Sequence, residues 1–494
     1  MAAGYERLGY SVSQAKRGVA VHMAEVYIND GKAGHASYSF EGSGTRKALD
    51  ILTTAMRTGA SDVARRAWLY LMAAVQVPDS RKDKYAVMAR IHVDLLSGDL
   101  ESAWGRSQSC EEDPNVHQVL SQLRSIQDCF GSFAREIRQA GIVHAQMLAQ
   151  GSKVEHATGP VVAVYLPASL LRPKESPAIS RVFESVRKAF AAVLLSVRTE
   201  GLPLQVIISG ERMMTDHAPA CAFAISYHSH GTGERRLHIK EGDVLGLMCM
   251  DPFGYSGWSS MSTLRGVWNR ISDAEADQHA AAVVERLHHS HASKYIQRPD
   301  PNLDLPPRFV FVALQMMRDP VQALADIPML DMLRLVVERF AGTGIAVLVK
   351  RHPLCTSLRV RAALEDCAKE LHVRITDASI HQLLPQCEAV FTVNSGVGSE
   401  ALAYAKPVYT FGGCDYRVAT HAIRSPVDFI AHCAEVGPAM PTAELRRFFC
   451  YYRTRYLVDI HDPCRLERAL RERLLEPARS AIARFNELRH FRNT

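Results

Sequence analysis

The 494-residue sequence has no CxxC pair and no paired Cys/His spacing, and its eleven cysteines are scattered. That argues against a zinc site or a disulfide framework and for a reducing cytoplasm. The opening MAAGYERLGYSVSQAKRG lacks the apolar core of a signal peptide. The longest tempting apolar run, Ala189 to Val197, has nine residues with polar flanks, far short of the roughly 20 that a membrane span needs. Charge of one sign is also scarce. A net +6 over this length suits acidic lipid or saccharide partners and is too small to argue for nucleic acid. Hydrophobic content of 47% and charged content of 22% are those of an ordinary globular chain.

The length predicts about three domains. From 45 to 150 the chain reads as helix, with apolar positions at helical spacing in Leu49, Leu52 and Met56, in Trp68, Leu69, Met72 and Val75, and in Ile91, Leu95 and Leu96. Thr58-Gly59 and Ser97-Gly98-Asp99 cut it into hairpins, and LLSGDLESAW resembles a tetratricopeptide-like unit. Residues 1–150 are therefore expected to form a helical region that either docks capable partners or caps the domains that follow. Residues 1 to 44 read as loosely packed.

Gly159-Pro160 marks a boundary, and residues 155–300 read as a first α/β domain. Its elements are the strand Val161 to Pro167, a helix from Ser176 to Thr199, and strands at Leu204 to Ser209, Ala222 to Tyr227, Leu237 to Lys240 and Val244 to Met250. Antiparallel edges are expected. The last strand empties into Asp251-Pro-Phe-Gly-Tyr-Ser-Gly-Trp-Ser-Ser260. An acid at a strand's end beside Tyr255, Ser256 and Trp258 fits a sugar site: a carboxylate for base or nucleophile work, aromatic faces for the sugar, and a hydroxyl to orient it. The alternative is that Asp251 only caps a turn before Pro252.

Leu305-Pro306-Pro307 reads as a stiff linker into a second Rossmann-like domain, residues 305–440. Two motifs organise it. AVLVKRHPLC (Ala346 to Cys355) is an apolar run that stops at Lys350-Arg351-His352 and Pro353. AVFTVNSGVGSEALAYAKPVYTFGGCDYR (Ala389 to Arg417) is an apolar run, a small-residue turn, a short helix and another apolar run. The alternation of the whole stretch is βαβαβαβ, which predicts a doubly wound parallel sheet with ligands beyond the carboxyl ends of its strands. The turn Asn394, Ser395, Gly396, Gly398 and Ser399 would present backbone N–H groups and a helix N-terminus to an anion, with Lys350, Arg351 and His352 as cationic donors across the crevice. This pattern predicts a phosphate site. Gln315, at the end of the strand Phe309 to Leu314, and Arg318 would help close it. Singly, each feature has a plainer reading: tight turns for the glycines, dipole complementation for Glu400, loop chemistry for His-Pro.

The string KRHPL, followed about forty residues later by VNSGVGSEALAYAKPVYTFG and Tyr416, resembles the bacterial capsule polysaccharide biosynthesis family, which includes β-Kdo transferases acting from CMP-Kdo. The resemblance is dense over 305 to 420 and weaker over 240 to 270, where DPFGYSGWSS resembles the family's acidic loop, and VALQMMRDP (Val312 to Pro320) resembles the opening of its second domain. It implies an α/β fold, a GT-B-like pair of Rossmann-type domains, here with an additional all-helical N-terminal region. It also implies a glycosyltransferase that moves a Kdo-type sugar from a CMP-activated donor to a saccharide or glycolipid acceptor, with no metal and no other cofactor. Asp251 and His352 would be catalytic. Lys350, Arg351, His352, Asn394, Ser395, Gly396, Gly398 and Ser399 would hold the donor phosphate, with Gln315 beside them and Glu400 toward the ribose or the sugar. Tyr255, Ser256 and Trp258 would bind the acceptor. The alternatives are a nucleotide-sugar epimerase, a polyol-phosphate transferase, or a non-catalytic factor of capsule assembly or export whose N-terminal helices recruit capsule-assembly proteins.

Residues 441–494 read as helices, Thr442 to Tyr456 and Pro463 to Phe491. The second, with Arg492 just past it, carries eight arginines against four glutamates. Such a face would either rest on anionic lipid at the inner face of the cytoplasmic membrane or be a solvated surface.

Overall fold

The computed structural model describes residues 99–108, 117–150, 157–174, 177–209, 220–231, 235–290, 297–317, 319–433 and 439–493, together with 91, 94, 233 and 293–295. The expectations for residues 1 to 44, for most of the helical hairpins before residue 99, and for Arg318 lie outside the described residues. The chain divides into two compact units, residues 1–239 with 467–494 and residues 240–466.

In the first unit, helices α1 (Leu100–Gln108), α2 (His117–Phe130) and α3 (Ala134–Gln150) precede strand β1 (Gly159–Pro167), helix α4 (Pro177–Thr199), β2 (Leu204–Ser209), β3 (Cys221–Tyr227) and β4 (Arg236–Glu241), whose last two residues open the second unit. β1 pairs in parallel with both β2 and β3, and β3 in parallel with β4. α4 is a helix because Val182, Val186, Ala189, Phe190, Val193, Leu194 and Val197 recur on one face, and all seven are buried. Its buried Arg187 donates to the carbonyls of Leu170 (2.7 Å) and Arg172 (3.0 Å), which ties α4 to the turn after β1. α2 packs on α4, and α3 on β2. Arg198 of α4 pairs with Glu136 of α3 at 2.8 Å and lies 3.6 Å over the Phe133 ring. The described N-terminal helices thus lie on the α/β part of their own unit.

The second unit contains β5 (Leu247–Asp251), α5 (Asp273–Ser290), β6 (Phe309–Ala313), α6 (Met329–Phe340), β7 (Ala346–Lys350), α7 (Leu358–Cys367), β8 (Val373–Ile375), α8 (Ile380–Leu383), β9 (Val390–Thr392), α9 (Gly396–Ala403), β10 (Val408–Thr410), β11 (His421–Ala422), α10 (Pro426–His432), α11 (Thr442–Tyr451) and β12 (Val458–Asp459). Helix α12 (Pro463–Leu470) and helix α13 (Glu476–Asn493) lead back to the first unit, where α13 packs on β1 and β3. The sequence reading placed residues 240–300 with the first α/β segment. Packing places the helix of that stretch, α5, with the second unit, where it lies against α11, α8 and α9. The expected antiparallel edge exists, but it is the pair β5 and β12, Met248 opposite Val458.

Six parallel strands run in the order β11-β10-β9-β6-β7-β8. Alternation along β6 divides the core: Phe309, Phe311 and Ala313 face one cluster with α5, α8, α9 and α11, while Val310 and Val312 face another with α6, α7 and α10. Both faces are covered, which is why these strands read as unbroken apolar runs. Phe311 and Phe391 are fully buried, and truncating either to Ala would cost about 3–5 kcal/mol. From β6 the chain winds outward through β7 and β8, then returns to start β9 on the other side of β6. The strand order reverses there, so the crevice that such sheets offer to ligands opens above the ends of β6 and β9.

Candidate active site

A cleft of about 200 Å³ opens at this reversal. Its lining includes Arg351, His352 and Pro353 from the end of β7, Ser395 and Gly396 from the start of α9, and Tyr255 and Ser256 from the loop after β5. The two sequence motifs therefore face one crevice, and the acidic loop reaches it too.

The reversal is locked by two side chains expected to bind the donor. Gln315 Nε2 donates to Asn394 Oδ1 (2.6 Å) and Asn394 N donates to Gln315 Oε1 (3.0 Å), while Asn394 Nδ2 donates to the carbonyls of Val321 (2.9 Å) and Gly413 (3.1 Å). With every polar atom of the Asn394 side chain committed to protein partners, it holds β6, β9 and the loop after β10 together and has no donor left for a phosphate. Lys350 also departs from expectation. Its ammonium donates to Gln297 Oε1 (3.1 Å) and to the carbonyls of Asp377 (3.2 Å) and Ala378, which uses its three protons and secures the loop between β8 and α8. Burial lowers its pKa, with Asp377 and Glu400 opposing.

Arg351 and His352 fit the phosphate role. Arg351 is exposed on the cleft wall and makes no hydrogen bond or ion pair among the described residues. His352 Nδ1 accepts the N–H of Leu354 (3.1 Å), and its ring stands edge-on to Tyr295, centroids 5.1 Å apart. Burial, then the charge of Lys294, hold its pKa down to about 4. The ring is neutral at physiological pH, and with Nδ1 accepting, its proton sits on Nε2. His352 is thus a neutral hydrogen-bond donor in place of the cation expected from the sequence.

Ser395 caps α9, its Oγ accepting from Val397 N at 3.3 Å. The two glycines of that turn serve close approach. A Cβ on Gly396 would stand 3.0 Å from that of Asp243, and one on Gly398 would stand 2.4 Å from the Tyr416 hydroxyl, which donates to the Ser395 carbonyl. Ser399, in the first turn of α9, donates to Asp243 Oδ2.

Asp251, the expected base, does not line the cleft. It is 1% exposed, and its oxygens accept from Phe253 N (2.8 Å), Gly254 N (3.3 Å), Ser260 N (3.0 Å) and Ser260 Oγ, with Tyr456 OH at 3.4 Å. Those bonds fold the loop Pro252 to Ser260 around the carboxylate, so the turn-capping reading is the one that the geometry supports. The loop then presents Tyr255, with Lys240 5.9 Å from its ring centre, and Ser256, held at φ 53°. Trp258 packs edge-on behind Tyr255 at 5.3 Å and is not part of the cleft lining.

Five carboxyl groups do line the cleft: Glu241, Asp243, Asp319, Glu400 and Asp415. Glu400 is 2% exposed, accepts from Ser293 Oγ (3.0 Å) and lies 3.5 Å from His381 Nε2. Burial, reinforced by Asp243, pushes it up to about 8. The same two causes push Asp415 up to about 7, while Tyr452 OH donates to it at 3.1 Å. Asp243 accepts from Arg453 Nη2 at 2.7 Å, both side chains being 3% exposed. Glu241 bridges Lys240 and Lys294. Burial lowers Lys240; in Lys294 burial acts the same way, but the charges of Glu241, Tyr295 and Asp319 and the hydrogen bond to Glu241 together raise it. Sequence reading missed Asp243, Asp415, Arg453 and the lysine pair. The one local signal was the charged turn Lys240-Glu241-Gly242-Asp243 at a strand's end.

Residues 268–421, which contain α5 through β11 and most of this cleft, match the model of the family described as "Capsule polysaccharide biosynthesis protein". Over that segment the chain is similar to the capsule polysaccharide biosynthesis family. The resemblance carried by KRHPL and VNSGVGSEALAYAKPVYTFG is thus borne out. Among curated proteins the chain is similar to Protein FixF of Sinorhizobium fredii (strain NBRC 101917 / NGR234), 26% identical over 266 residues, which cover 51% of this chain and 63% of the relative. The match spans less than two thirds of that relative's length. Among solved structures it is similar to two Thermosulfurimonas dismutans KpsC chains. One is the β-Kdo 2,4 transferase, 16% identical with a TM-score of 0.36, covering 59% of this chain and 90% of that one. The other is the β-Kdo 2,7 transferase, 15% identical with a TM-score of 0.36, covering 67% and 99%. No helix among the described residues is long and apolar enough to cross a membrane.

Proposed function

We propose that the chain is a glycosyltransferase of capsule or cell-surface polysaccharide synthesis, taking a Kdo-type sugar from a CMP-activated donor to a saccharide or glycolipid acceptor. The observation that carries this reading is the meeting of Arg351, His352 and the Ser395-capped start of α9 in one cleft at the reversal of a parallel sheet. Such a cleft is suited to a nucleotide phosphate: helix amides and Arg351 bind its charge, and the Nε2–H of His352 donates to a phosphate oxygen.

When the bond from the sugar to the phosphate breaks, negative charge grows on that phosphate. Arg351 and His352 are placed to stabilise it without moving, which is what lowers a barrier. Because His352 is already neutral, its hydrogen bond does not weaken as pH rises toward 8. Tyr255 offers an aromatic wall and Ser256 a hydroxyl to a sugar on the same cleft. Lys350, Asn394 and Gln315 act one layer behind, holding the loops that carry these groups.

Calorimetric titration with CMP, CDP, UDP and GDP tests the reading. CMP should bind tightest, and cytidine, which lacks the phosphate, much more weakly. Absence of nucleotide binding would remove the transferase reading. A preference for UDP would move the protein to the nucleotide-sugar epimerase class.

A further inference from the structure

Gln297 lines the cleft and presents one defined edge to it. Its Oε1 accepts from Lys350 Nζ at 3.1 Å and from Ile380 N at 3.2 Å. An ammonium and a backbone N–H can only donate, so the atom between them must be the oxygen, and turning the amide over would set its NH2 group against both. The Nε2 group makes no hydrogen bond among the described residues and is left as a double N–H donor of fixed orientation. Of the three side-chain amides in the cleft lining, the other two, Gln315 and Asn394, are bonded to each other. Gln297 also lies within a nucleotide's reach of the phosphate groups. Its anchor Lys350 directly precedes Arg351 and His352, and Tyr295, two residues before Gln297, stands against the His352 ring with centroids 5.1 Å apart. Leu314, Pro353 and Ile380 in the same lining supply apolar surface for a flat ring.

We infer that Gln297 selects the nucleobase of the donor, its Nε2–H groups donating to the two adjacent acceptors of cytosine and disfavouring uracil. The inference rests on the glycosyltransferase reading and deepens it. Cytosine carries N3 and O2 side by side on its pairing edge, both of them acceptors. In uracil, N3 bears a hydrogen. A donor held opposite that hydrogen meets another donor, and uracil keeps at most one of the two bonds while a buried N–H goes unpaired. The amide is not free to turn and offer its oxygen instead, because Lys350 and Ile380 hold that oxygen. Lys350 is thus a positioning residue for the base as well as the anchor of the loop between β8 and α8, since it fixes which edge of Gln297 the ligand meets.

Calorimetric titration tests this with CMP, UMP and 3-deaza-CMP, in which a C–H replaces N3, in the wild type and in Gln297→Glu. The wild type should bind CMP at least about tenfold more tightly than either analogue, the scale of one well-placed pair of hydrogen bonds to a base. The 3-deaza comparison needs no substitution, so it decides the matter even where a variant does not fold. Gln297→Glu keeps an oxygen for Lys350 and Ile380 and puts an acceptor where the donor was. Its preference for CMP over UMP should fall by about tenfold or more, to parity or below. The added negative charge bears on the phosphate that both ligands share and cancels from that ratio. Wild-type binding of CMP no tighter than that of UMP or 3-deaza-CMP would overturn the inference, and so would an unchanged preference in folded Gln297→Glu. In either case CMP still binds, which leaves the phosphate site in place. A wild-type protein that binds none of the nucleotides would sink the glycosyltransferase reading, and this inference with it.

Discussion

Replacing Glu400 with Gln should make the protein more stable at pH 8 relative to wild type than it is at pH 5. Glu400 is 2% exposed, and burial with the charge of Asp243 pushes its carboxyl up to about 8 from an ordinary 4.5. Between those values the folded protein holds a proton that the unfolded chain has released. The proton-linked stability is therefore fully present below about pH 4.5 and is lost as pH rises through about 8. Each unit of pH costs about 1.4 kcal/mol, so the wild type should lose at most about 4 kcal/mol from this group between pH 5 and 8. Gln binds no proton in either state and removes that slope. Its amide can still accept from Ser293 Oγ, which now donates to Glu400 at 3.0 Å. Asp415 titrates in a neighbouring window in both proteins and cancels from the comparison. A unit of this size shifts its melting midpoint by about 2–4 °C per kcal/mol, so the gap between variant and wild type should move by up to about 8–16 °C in the variant's favour. Melting followed by intrinsic fluorescence at pH 5, 6.5 and 8 measures it. A gap that is the same at all three pH values would refute a protonated buried Glu400.

Asp251→Asn should lower the melting temperature, by the roughly 1–3 kcal/mol of an amide group facing the Ser260 donors, while CMP affinity stays at the wild-type value; unchanged melting with lost turnover would return Asp251 to catalysis. Lys350→Ala and Arg351→Ala should separate, although the residues are adjacent: the first should destabilise the protein by freeing the loop at Ala378, whereas the second should weaken CMP binding in a salt-dependent way with no change in melting. His352→Ala should cost about 1 kcal/mol of CMP affinity, or roughly threefold to tenfold, as expected of a neutral donor. Because the ring ionises only around 4, that loss should be equal at pH 5.5 and pH 8 in calorimetry, and cytidine binding should not change.

The sheet of the second unit was legible because parallel strands covered on both faces leave unbroken apolar runs, as in Phe309 to Leu314 and Ala346 to Val349. Its parallel character followed from the alternation with helices. Helix ends were less legible. α7 stops at Cys367 although the apolar spacing that begins at Leu358 runs on to Leu371, which is fully exposed with nothing to pack on. Of the residues between Ser379 and Cys387 only the single turn Ile380–Leu383 is α-helical. Position in a strand-end motif located the cleft correctly, yet it did not say which side chains were unoccupied. Lys350, Asn394 and Gln315 have the right chemistry and are spent on neighbours that only the fold supplies.

The acidic side of the cleft escaped the sequence for a related reason. Asp243, Glu400 and Asp415 lie in separate segments, and Arg453, which holds Asp243, is 210 positions away along the chain. A motif read along the sequence detects groups that share a turn, such as KRHP, whereas raised carboxyl pKa values arise from burial and from like charges brought together across the fold. What the sequence did carry was the means of that approach. Gly396 and Gly398 were read as anion-binding turn residues, but a methyl group on either would collide with Asp243 or Tyr416. Their smallness is thus explained by the residues packed against them, and it joins the Ser395-capped helix to the carboxylate side of the same cleft.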